Sequence, residues 1–138
     1  MKRTSILLLA ILLFFGFACS SRQLAEESKS LYPYLEAEAL LALTQNPDPQ
    51  IRIIDLRSPE AYARGHIPTA VNMPSGEIMT RLKELPRSQY LIFYCESGGR
   101  AHMVIEQLNN KGYIRMLNWG GYSRWPHAAS SAIQPSEF

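Results

Sequence analysis

A chain of 138 residues carrying a net charge of +2 is sized for one domain, and two would be crowded. Its 14 Lys and Arg are scattered along the sequence, with no run that could track phosphates, so nothing in the charge pattern supports nucleic-acid binding. Three scattered His give no metal-ligand spacing, and two cysteines, Cys19 and Cys95, are too few for a disulfide framework.

The N-terminus opens on the basic stretch Met1-Lys2-Arg3-Thr4-Ser5 and continues as the uncharged run Ile6 to Ala18. That run falls short of the roughly 20 apolar residues a bilayer-spanning helix needs. It matches the apolar core of a secretory signal, with Lys2 and Arg3 on the cytoplasmic side. Residues 1–18 are therefore read as a signal and set aside from the fold; they inflate the 46% hydrophobic content. Gly16-Phe17-Ala18 places small residues at the two positions a signal peptidase inspects, which predicts cleavage before Cys19. Leu12 to Ser20 also resembles a bacterial lipoprotein signal, which would put lipid on Cys19. It departs from that pattern at Gly16 and Phe17, where Leu and a small residue are usual. A lipoprotein is the leading expectation, ahead of a soluble exported protein and of an uncleaved anchor. In each case the chain is exported, and in the first it is periplasmic and membrane-anchored. A Cys19–Cys95 disulfide is the alternative use of the two thiols, and lipid on the Cys19 sulfur would forbid it.

Residues 19–30 are polar and charged, and read as a tether. The domain is placed at 31–138. Helical character runs from Leu35 or Glu36 to Leu43 and stops at Gln45-Asn46-Pro47-Asp48-Pro49. Ile51 to Ile54 is a short β-branched strand. Ser58 is placed to cap a helix with Pro59 in its first position, running to Arg64 and closed by Gly65. Ala70 to Met73 reads as a strand and Ile78 to Leu85 as a helix. Tyr90 to Tyr94 is apolar throughout, as in a strand covered on both faces. Ala101, Val104, Ile105 and Leu108 share one face of the next helix, with Lys111 and Gly112 at its close. Ile114 to Leu117 is the last strand. This alternation predicts an α/β fold: a small parallel sheet with helices on both faces.

Cys95-Glu96-Ser97-Gly98-Gly99-Arg100 joins the buried strand to the amphipathic helix. Ligands of open parallel sheets bind beyond the carboxyl ends of the strands, where each following helix offers free N–H groups and a partial positive charge. A thiol placed there titrates below an ordinary one. Gly98 and Gly99 let the backbone curl with positive φ and turn N–H groups inward around the sulfur.

Cys-x-x-Gly-x-Arg after a strand resembles the active loop of the rhodanese-like (sulfurtransferase) domain family. The resemblance extends upstream to Asp55-Leu56-Arg57 and to Glu60 through Pro74, and downstream to Leu117-Asn118-Trp119-Gly120-Gly121 with Trp125. It covers roughly residues 34 to 126. The resemblance implies a parallel-sheet rhodanese-like fold and a two-step transfer. Cys95 would take the outer sulfur of a donor as a persulfide and pass it to a nucleophilic acceptor. Main-chain N–H groups of Glu96 through Arg100 would stabilise the sulfur-borne charge, and Arg100 would close the loop toward an anionic donor. No metal or organic cofactor is implied. The donor would be thiosulfate or a thiol persulfide. The acceptor would be a thiol or a cyanide-like nucleophile, with a thioredoxin-like protein among the candidates. Asp55 and Arg57 end the first strand on the edge that carries Cys95 and are read as supporting residues that pair locally and hold the shape of the site.

Four residues separate Cys95 from Arg100. Phosphatase relatives have five, so the shorter loop disfavours phosphatase or arsenate reductase chemistry. Two departures stand out. Thr69 replaces the usual Gly after His66-Ile67-Pro68. Glu96 puts a carboxylate directly after the nucleophile, where it repels a dianionic donor. His66 is read as a turn-fixing hydrogen-bonding group rather than a catalyst; His102, on the helix two residues past Arg100, could point anywhere and is a minor candidate for a general base, and His127 near the tail has no partner. Trp119, Tyr122 and Trp125 either wall the active edge or pack the core. The competing function from another class is a non-catalytic binding or sensing module.

Overall fold

The computed structural model describes residues 31–126. The expected signal (1–18), the lipid site Cys19, the tether (19–30) and His127 lie outside the described residues. A short 3-10 helix, Tyr32–Leu35, leads into helix α1 (Ala37–Gln45), built from Ala, Leu and Glu and stopped before Pro47. Strand β1 (Ile51–Asp55) follows, then helix α2 (Pro59–Ala63) and the two-residue strand β2 (Val71–Asn72). Strand β3 (Tyr90–Cys95), helix α3 (Gly99–Asn109) and strand β4 (Met116–Gly121) complete the domain. All pairings are parallel, in the order β2-β1-β3-β4. The expected α/β class and parallel sheet are thus present.

Two cores sit back to back across the sheet. On one face α3 contributes Ala101, Val104 and Leu108 against Ile54, Leu91 and Phe93. On the other, α1 contributes Leu40 and Leu43 against Ile53, Ile92, Tyr94 and Trp119. Because both faces are covered, β3 needs apolar side chains at every position, which is why it reads as an unbroken run. Each fully buried Leu, Ile or Phe contributes on the order of 1.5–3 kcal/mol.

Capping follows the local chemistry. The Ser58 hydroxyl accepts from the Ala61 N–H at 3.3 Å and Pro59 opens α2. Gly112, at φ +83, turns the chain after α3 so that the Tyr113 N–H reaches the Leu108 carbonyl at 3.1 Å. Thr69 is the one non-glycine with positive φ among the described residues, at +67, where a Cβ is crowded.

Three elements differ from the sequence reading. Residues 78–85 form successive tight turns and a 3-10 helix, Leu82–Glu84, instead of an α-helix. Their apolar side chains are buried as a helix would bury them, with Ile78 and Leu85 in the core. Their carbonyls, however, are claimed from outside: Tyr113 Oη donates to Leu82 and Leu85, and Arg52 to Glu84. The last strand begins two residues late and continues through Gly120 and Gly121, leaving Ile114 exposed. The strand expected over Ala70 to Met73 pairs only at Val71–Asn72.

Candidate active site

The carboxyl ends of β1, β3 and β4 come together at one edge, where Asp55 lies beside Tyr94 and Cys95 beside Gly121. Strand order reverses between β1 and β3, and such a switch point opens a crevice at that edge. Cys95 is the last residue of β3, and its side chain points toward α3. The chain then passes through Glu96 and Ser97, both exposed, and reverses at Gly98 with φ +95. That reversal aims the Gly98 N–H at Cys95 Sγ, 3.0 Å away.

Burial pushes the Cys95 thiol up. The N–H groups of Ala101, Ser97, Gly98 and Arg100 outweigh it and hold the thiol below its ordinary value of 9.0. The sulfur thus sits in a cradle of main-chain donors at the start of a helix, a place that favours negative charge. The sequence reading had not included Ala101. It had also given Gly99 the same role as Gly98, but Gly99 begins α3 with no positive φ and has nothing within 4 Å of where a Cβ would stand. Arg100 is half-buried and its guanidinium makes no ion pair among the described residues.

Strand β4 packs closely against this loop. A Cβ on Gly121 would lie 2.6 Å from the Glu96 carbonyl oxygen, and one on Gly98 would lie 3.1 Å from the Gly120 Cα. A bulge opposite Phe93 and Tyr94 carries Trp119 as an extra residue and brings Gly120 and Gly121 level with Tyr94 and Cys95. Asn118 bridges the two segments: its Nδ2 donates to the Gly98 carbonyl at 3.1 Å, and its Oδ1 accepts the Gly120 N–H at 2.9 Å. Sequence reasoning missed Asn118. The available signal was a single amide in an apolar strand, two residues before the Gly120-Gly121 pair.

Asp55 and Arg57 reach the same edge but the opposite face of the sheet from the sulfur. They form a buried pair, with Arg57 Nη2 2.6 Å and Nε 3.1 Å from Asp55 Oδ2. Tyr94 Oη donates to the same carboxylate oxygen at 2.6 Å and accepts the Ile67 N–H at 3.1 Å. Desolvation and the Asp55 carboxylate push the Tyr94 phenol far up, so it remains a donor. Arg57 also donates to the Gly65 carbonyl and lies 3.9 Å from the centre of the Tyr122 ring. The group ties the 65–67 segment to the sheet edge. His66 stacks on Tyr62 at 3.8 Å, with Nδ1 3.0 Å from the Tyr62 carbonyl oxygen. His102 is exposed, 3.7 Å from Glu106. Trp119 and Trp125 are buried in the core on the α1 face, away from the sulfur.

Residues 36–128 match the rhodanese-like domain family. The chain belongs to that family. Among its relatives is a sulfurtransferase of Allochromatium vinosum, 33% identical over 86 residues, covering 62% of this chain and 80% of the relative. A human thiosulfate:glutathione sulfurtransferase is 29% identical over 89 residues, covering 54% and 77%. A solved rhodanese-like domain protein from Staphylococcus aureus superposes with a TM-score of 0.57 at 29% identity, covering 64% of this chain and 86% of that one. This rhodanese-like domain is therefore of the sulfurtransferase family, whose substrates are in general a sulfur donor and an acceptor.

Proposed function

We propose that Cys95 carries sulfane sulfur between two thiol-type substrates. The Cys95 thiolate attacks the outer sulfur of a donor persulfide, R–S–S⁻. The new S–S bond forms as the donor's bond breaks, and RS⁻ leaves. An acceptor thiolate then attacks the outer sulfur of the Cys95 persulfide, and Cys95 departs as thiolate. No net oxidant is needed in either step. The observation that carries this reading is the set of four N–H groups around Sγ, which favours a negatively charged sulfur before and after transfer. Glu96, exposed and next to the nucleophile, disfavours the dianion thiosulfate and leaves thiol persulfides as the better donors. In this reading Cys19 bears lipid, and the domain works outside the cytoplasm on a membrane surface.

Intact mass before and after a persulfide donor tests the carrier role. The protein gains one sulfur atom that reducing agent removes, and Cys95→Ser gains none. A wild-type protein that takes up no sulfur from any donor would return the domain to a binding role. A thiosulfate efficiency far above that for glutathione persulfide would overturn the choice of donor alone.

A further inference from the structure

The cations scattered along the sequence are gathered by the fold at the end of the sheet farthest from Cys95. Lys83, Arg87 and Lys111 are exposed there, in or beside the loops that enter β3 and β4. Arg52, near the start of β1, and Arg115, just before β4, lie half-buried at the same end. Facing these five are three carboxylates, Asp48, Glu84 and Glu106 in the last turn of α3, and Glu84 is held by Arg81 at 2.7 Å. The active edge has the opposite balance, with Glu36, Glu38, Glu60 and Glu96 set against Arg64, Arg100 and Arg124.

Apolar groups share the basic end. Three large hydrophobic side chains are exposed among the described residues: Tyr32 at 58%, Met103 at 54% and Ile114 at 45%. Tyr32 and Ile114 both belong to this end. Ile114 lies between Lys111 and Arg115 in sequence, and Tyr32 follows Leu31. Leu31 is buried at the foot of the sheet and lines a cavity with Ile51 and Tyr90, the first residues of β1 and β3. Leu31, the first described residue, therefore sits at the basic end.

We propose that this end is a docking surface for a bilayer containing anionic lipid. Cations at a membrane surface are drawn to acidic headgroups, each adding about fivefold to binding. Tyrosine sits at headgroup depth, and an exposed aliphatic side chain beside it enters the acyl boundary. A phosphate chain such as a nucleic acid would answer the cations and leave Ile114 and Tyr32 unused, so the bilayer is the better fit. Docked this way, the domain holds Cys95 on its far side, turned to the aqueous phase.

The test places an indole at the surface with Ile114→Trp in residues 19–138 carrying Cys19→Ser, so that neither signal nor lipid holds the protein to a neutral bilayer; Trp119 and Trp125 are buried. Vesicles of brominated phosphatidylcholine, with or without phosphatidylglycerol, are then added. Quenching of the added fluorescence is expected only with phosphatidylglycerol and is expected to fall with salt. Adding Lys83→Glu, Arg87→Glu and Lys111→Glu is expected to weaken it at least a hundredfold, with sulfur loading of Cys95 unchanged. Arg64→Glu, at the active edge, is expected to leave it unaltered. Equal quenching on neutral vesicles, none on anionic ones, or indifference to the triple change would overturn the proposal.

Discussion

Asn118 acts at a distance of one hydrogen bond from the group that touches the sulfur. Its carboxamide holds the Gly98 carbonyl, and Gly98 presents its own N–H to Cys95 Sγ. Asn118→Leu removes that hold while leaving the amides in the chain, so the thiolate loses preference without losing its loop. The thiol is held below 9.0 in the native protein, so alkylation by iodoacetamide should rise with pH to a plateau whose midpoint lies below 9.0. In Asn118→Leu the midpoint is expected to move up toward 9.0, with alkylation at neutral pH slower by up to about tenfold, the equivalent of roughly one hydrogen bond to a charged acceptor. A role in folding alone would lower the melting temperature and leave the midpoint in place.

The elements that flank the loop differ in how far they could be read beforehand. Helix α3 and strand β3 are stated by local pattern: a four-residue apolar stripe in one, an unbroken apolar run in the other. The cradle was legible for the same reason, since a strand, a Cys, two glycines and a helix follow one another along the chain. Strand β4 was legible only in part: a strand was expected over Ile114 to Leu117, and its continuation through Gly120 and Gly121 was not. Their value lies in the space they vacate for Glu96 and Gly98, which only the pairing of β3 with β4 reveals. Parity hid the placement of Asp55. Adjacent residues of a strand face opposite ways, so register alone decides that Asp55 meets Tyr94 and not Cys95. The two loop glycines, alike in sequence, should separate on substitution. Gly98→Ala forces a Cβ into positive φ and against Gly120, and is expected to cost about 1–3 kcal/mol. Gly99→Ala puts its methyl into open space on the first turn of a helix and should gain about 0.5–1 kcal/mol. Urea unfolding of both variants measures the difference.

Across the whole molecule, the buried ion pair adds polar ties between parts that the core on the α1 face also brings together. Asp55 closes β1, Tyr94 belongs to β3, and Arg57 reaches Gly65 and Tyr122. With Asp55 fully buried, Arg57→Leu strands a carboxylate in the interior, and a loss of about 3–5 kcal/mol is expected. Adding Asp55→Asn removes the stranded charge, so the double variant should recover part of that loss. Thermal unfolding at neutral pH gives the comparison. If the double variant is the less stable of the two, the pair contributes more than mutual neutralisation.

The Cys95 side chain is only 1% exposed, although its sulfur is poised as an anion. Oxidation of thiols to sulfenic and higher acids needs both thiolate character and access, and this residue has the first while withholding the second. With the thiol this covered, sulfur donor and oxidant alike reach it only as the loop over it parts, so the opening of one short turn sets the pace of both loading and damage.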